Sequence, residues 1–186
     1  MRRTLLCLIV LLSVLVGVAT VLLPSHASTF DSTRNALRER YALSRIDIQN
    51  PRTEGYIASR GVVLLLQADG VAAKKLRVIQ ANTKSPRFHV RDYAAVDIAP
   101  DGRLAGTPGD FMLPKGSRLV VLDLKVEKDR VRLFTHTLAR IPLADGQAGY
   151  GCTEFVFRVD PGLLANGDIG ALQQQIDRVL SRADVA

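Results

Sequence analysis

The chain has 186 residues and a formal net charge of +7, with 47% hydrophobic residues, no Trp and two Cys. That length allows one domain of ordinary size once an N-terminal segment is set aside. The composition excludes a disordered, collagen-like or disulfide-scaffold protein.

The first 27 residues set the compartment. Arg2 and Arg3 form a positive start, Leu5 to Leu23 runs without a charge, and Pro24-Ser25-His26-Ala27 follows. Ser25 and Ala27 stand where a signal peptidase accepts small residues, which predicts cleavage before Ser28. The apolar run also reaches the length that spans a bilayer, so residues 1–27 are either a signal peptide or an uncleaved membrane anchor. Both place the remainder outside the cytoplasm, periplasmic or extracellular and possibly held at the inner membrane. Loss of Arg2 and Arg3 leaves the remainder at +5. Outside the cytoplasm such charge serves solubility first, and otherwise suits anionic lipid headgroups or acidic envelope polymers better than nucleic acid; the expected partner is an anionic envelope component or an envelope protein.

Residues 28–45 read as a helical lead-in, with Phe30, Leu37 and Tyr41 near helical spacing and Asp31 or Ser32 as the cap. Residues 46–186 read as a β-rich domain. Ile46 and Ile48 alternate with polar residues before Pro51. Gly61-Val62-Val63-Leu64-Leu65-Leu66-Gln67 is apolar on both faces and stops at Asp69-Gly70, as a strand buried on both sides, or one lining a closed barrel, would. Leu76–Ile79, Phe88–Asp92 and Ala95–Ile98 are shorter strand candidates, and Pro100-Asp101-Gly102 and Thr107-Pro108-Gly109-Asp110 are turns.

The clearest local signal is a hairpin. Val120, Leu122, Leu124 and Val126 share one face, as do Val131, Leu133, Thr135 and Thr137. A turn at Lys128-Asp129 pairs Val126 with Val131, Leu124 with Leu133 and Leu122 with Thr135, and sets Glu127 opposite Arg130. Glu154–Val159 is a further strand, with Phe155, Phe157 and Val159 on one face, ended by Pro161-Gly162. Asp168 caps a closing helix whose apolar stripe is Ile169, Leu172, Ile176, Val179 and Leu180. The fold class is therefore mainly β (α+β). We expect five to seven strands (roughly, by that count) in a small barrel or strongly curved antiparallel sheet, with an N-terminal and a C-terminal helix.

Residues that could carry chemistry are few. No H-E-x-x-H, G-x-S-x-G, Walker A or Rossmann pattern occurs. His89 and His136 are too scattered to suggest a metal site, and no cofactor is implied. Lys74, Lys75, Arg77, Lys84, Arg87 and Arg91 form a basic stretch that reads first as a solvated basic β-face, with a surface for an anionic ligand as the alternative. Thr107-Pro108-Gly109-Asp110-Phe111, His136 and Gly149-Tyr150-Gly151-Cys152 together resemble the L,D-transpeptidase pattern. That resemblance implies a Cys152 nucleophile activated by His136 in a cell-wall cross-linking enzyme. Thr137, Gly149 and Glu154 depart from it, standing where that family has Gly, Ser and Arg. An acid at 154 would also raise the thiol pKa. From Gly61 onward the order of elements is similar to a group of uncharacterised exported bacterial proteins. The carrying residues are Gly61–Gly70, Phe111–Val126 and Glu154-Phe155-Val156-Phe157 with the closing helix. It implies a β-domain with a terminal helix and no activity. The expected function is a non-enzymatic envelope module for binding or assembly, with the transpeptidase-like enzyme as the alternative.

Overall fold

A computed structural model describes residues 26–47, 57–76, 93–143 and 145–183. The N-terminal apolar run, Ile48, Pro51, residues 77–79 of one strand candidate and all of Phe88–Asp92 lie outside them. Among the described residues no helix is long and apolar enough to cross a membrane.

The fold is mainly β, a strongly curled half-barrel sheet with three helices among the described residues. Its long strands are β8 (Arg118–Val126), β9 (Arg130–Thr137) and β12 (Gly151–Arg158). On one side stand β3 (Val63–Leu66) and β13 (Leu180–Arg182), and on the other β4 (Val71–Lys75) and β7 (Phe111–Leu113), in the order β13-β3-β8-β9-β12-β4-β7. β5 (Ala94–Ile98) shares the second edge of β12 with β4, and β6 (Leu104–Gly106) pairs with β5. Two short ladders, β1 (Arg45–Ile46) with β2 (Ile57–Ser59) and β10 (Ile141–Pro142) with β11 (Ala148–Gly149), stand apart.

Chain connectivity shows why the sheet must curl. β3 and β4 are joined only by Gln67-Ala68-Asp69-Gly70, yet three strands separate them in the sheet. A flat sheet would set them about 19 Å apart. Four linking residues that bend at Asp69-Gly70 cannot cover that span. The sheet rolls up instead, and its concave side holds Leu64, Leu66, Leu124, Leu133, Phe155 and Phe157 in one core.

Helices α1 (His26–Arg40), α2 (Pro161–Asn166) and α3 (Ile169–Asp177) contribute to that same core through Leu37, Leu164, Leu172 and Ile176, with Tyr41 just beyond α1. Asp168 caps α3 by accepting from the Ala171 N–H at 3.0 Å. The cap assigned to Asp31 or Ser32 is wrong, since both lie inside α1. Arg40 ties α1 to α3 through Asp177 at 2.7 Å.

Other expectations need correction. The strand count is too low, and the sheet is not wholly antiparallel, because β5 runs parallel to β12. β3 is not buried on both faces: Leu64 and Leu66 are buried while Val63 and Leu65 are half-covered. Val179 and Leu180 leave the helix; Leu180 opens β13, which pairs with β3. In the hairpin, Val126–Val131, Leu124–Leu133 and the Glu127–Arg130 closure stand as expected. Leu122 does not pair with Thr135. A bulge between Val121 and Asp123 gives that place to Val121 and turns Leu119 and Val121 to the core.

Candidate functional site

The sequence candidates Cys152 and His136 become direct cross-strand partners on β12 and β9. Alternation along both strands sends Phe155, Phe157, Leu133 and Val131 to the core, so Cys152 and His136 occupy the opposite, outer face. In register they extend a row across the sheet: Val63, Val120, His136, Cys152 and Lys74. The outer face is nevertheless closed here, with Val120, His136 and Cys152 fully buried. The Tyr150 ring stacks on His136 at 5.2 Å, and Arg140 lies over Tyr150.

The inner face of the same strands is pinned by hydroxyls. Thr135 donates to the Thr153 carbonyl, Thr153 to the Ala72 carbonyl, and Thr137 accepts from the Gly151 N–H, at 2.9, 2.9 and 3.0 Å. Gly151 itself leaves room for Phe111: a Cβ would stand 2.6 Å from the ring. The Thr107–Phe111 turn docks on β4, where Asp110 donates its N–H to Ala73 and its carboxylate accepts from the Lys75 N–H. All three parts of the transpeptidase-like pattern thus converge on β4 and β12.

Electrostatics set the pair against thiol activation. Burial pushes the Cys152 thiol up to about 12 and the His136 imidazole down to about 4, a main-chain contact from Thr137 opposing the latter only in part. The neutral forms are therefore favoured on both sides, the reverse of a thiolate–imidazolium pair. Neither ring nitrogen of His136 has a hydrogen-bond partner among the described residues. The expected effect of Glu154 on the thiol is corrected: burial is its cause, and the Glu154 carboxylate is gripped by Arg132 at 3.1 and 2.8 Å.

The depressed imidazole has a pH signature. Between its ordinary 6.5 and about 4 the unfolded chain binds a proton that the folded chain refuses, so stability falls as pH falls through that window. The loss should total about 3 kcal/mol at pH 4. His136→Phe keeps a stacking ring without orphan nitrogens and should lack this component. Urea denaturation at pH 7 and pH 4 checks it, and equal losses for both proteins would refute it.

Of the basic stretch, Arg77, Lys84, Arg87 and Arg91 lie outside the described residues. Lys74 and Lys75 close β4 half-buried, Lys75 donating to Gln147 at 3.2 Å. Comparison with protein families, curated proteins and solved structures returns no match. Among the described residues, no three His, Cys, Asp or Glu side chains stand close enough to share a metal ion.

The sequence reading missed a second cationic place. Two open clefts of about 440 and 530 Å³ both have Arg60 and Arg118 in their walls. These residues come from distant parts of the chain. Strand alternation in β8 places Arg118 on the outer face, but nothing local brings Arg60 to it.

Proposed function

We propose that the chain is an exported, non-enzymatic module of the cell envelope that binds or assembles with an anionic envelope component. The carrying observation is the burial of the Cys152–His136 pair, whose pKa values are driven apart from the charged forms that catalysis needs. Export is supported by Arg2-Arg3, the Leu5–Leu23 run and the small residues Ser25 and Ala27. In this reading the helices at the two ends of the exported chain brace the curled sheet. A cysteine-dependent, transpeptidase-like enzyme is the second reading, favoured by the contact of Phe111 with Gly151 and the cross-strand placement of His136 and Cys152.

One experiment with two arms separates them. In intact bacterial spheroplasts, residues beyond Ala27 should be open to added protease, and full protection would remove the export reading. On the purified folded chain, Cys152 should be alkylated at pH 8 at least about a hundredfold more slowly than in the denatured chain. A fast reaction with a midpoint below neutrality, lost on His136→Ala, would put the enzyme first.

A further inference from the structure

We infer that the groove running past Arg60 and Arg118 binds an extended polyanion, a soluble chain of phosphate-type oxyanions. This deepens the binding reading above and rests on it. The two clefts have both arginines in their walls and so adjoin each other on the β13, β3 and β8 side of the sheet. Among the described residues, Arg40, Arg60, Arg118, Arg182 and Lys115 line them, against a single acid, Glu39.

The contrast with the rest of the molecule gives that charge its meaning. At the hairpin end of the same face, Arg130, Arg132 and Arg158 are answered by Glu127, Asp129, Glu154 and Asp97. Arg40 is likewise answered by Asp177. Arg60, Lys115 and Arg118 are exposed and make no ion pair among the described residues. Three unanswered cations along one groove repel each other, and a ligand carrying several negative groups relieves that repulsion. Guanidinium forks suit oxyanions in bidentate geometry.

Main-chain packing holds Arg60 in place. A Cβ on Gly61 would overlap the Ala42 carbonyl, and the Gly61 N–H donates to Ser44 Oγ at 2.8 Å while Val62 donates to Ala42 at 3.0 Å. The segment before β3 is thus pressed against residues 42–44, and Arg60 leaves it from a fixed base. Two adjoining concave clefts with Arg60 and Arg118 at their shared wall fit a strand of linked anions better than one small ion or the plane of a membrane.

The test titrates the purified full-length chain, in a non-ionic detergent, with long-chain inorganic polyphosphate, with inorganic phosphate, and with phosphatidylglycerol doped into the micelles. Polyphosphate should bind, and phosphate at the same total phosphate concentration should not compete. Arg60→Gln and Arg118→Gln should each weaken binding about tenfold. The double variant should make the salt dependence of log K shallower by about two. Lys128→Gln, at the exposed hairpin turn, should bind as wild type, and unfolding midpoints should confirm that the variants fold. Absence of polyphosphate binding, or binding indifferent to both arginines, overturns the proposal. Equal competition by phosphate would point to a single-ion site, and displacement by phosphatidylglycerol to a lipid headgroup; either also overturns it. The thiol and topology measurements are independent of these titrations, so failure of the groove and failure of the non-enzymatic reading are separately visible.

Discussion

Val121→Asp should unfold the domain, and Leu122→Asp, one residue further, should not. Val121 is fully buried, pairs with Thr135 and belongs to the core, whereas Leu122 is the extra residue of the bulge and only half-covered. An unpartnered carboxylate at Val121 costs several kcal/mol, comparable with the roughly 5–15 kcal/mol total stability of a domain this size. Leu124→Asp should fail like Val121→Asp, since Leu124 is equally buried against Leu133. Lys125→Asp should be tolerated, because that side chain is exposed. Urea denaturation followed by circular dichroism ranks the four variants. Equal behaviour of the substitutions at 121 and 122 would mean the bulge is elsewhere.

That pair of variants also marks where the sequence stops being legible. Near the turn, strict alternation fixes the register, because only one face of Leu124–Val126 and Val131–Leu133 is buried. Toward the other end both faces are covered. Leu119, Val120, Val121 and Leu122 are then all apolar, and no period remains to reveal a bulge. Val179-Leu180 misled for a similar reason, as two apolar residues continue a helical stripe as well as they begin a strand. β4 was missed because Ala72-Ala73-Lys74-Lys75 has no β-branched residue after Val71. The transpeptidase-like pattern around them is what singles out Cys152 and His136 in the sequence. Their juxtaposition and burial come from the β9–β12 register and from Tyr150, neither of which leaves a local mark. Arg60 and Arg118 meet through the pairing of β3 with β8 and the packing of the segment before β3 on residues 42–44, so the groove could not be read from spacing.

Arg132→Ala should destabilise the domain by about 3–5 kcal/mol, far more than loss of a surface ion pair. Glu154 is buried on the outer face beside Phe134, and Arg132 holds its carboxylate with two hydrogen bonds while also reaching Glu127 at 3.1 Å. Removing the guanidinium leaves that charge uncompensated in a place water scarcely reaches. The cost belongs mainly to the orphaned acid, so Arg132→Leu with Glu154→Leu should recover most of it, an apolar pair filling the same space. Urea midpoints for the single and double variants test this, and a single-variant loss below about 1 kcal/mol would show the pair to be solvated. The same comparison separates the two halves of the outer face. At the hairpin end, arginines are spent on the protein's own carboxylates, and their loss should be read in stability. At the groove, Arg60→Gln and Arg118→Gln remove charges that the fold leaves unanswered. Their loss should spare stability and be read only in binding.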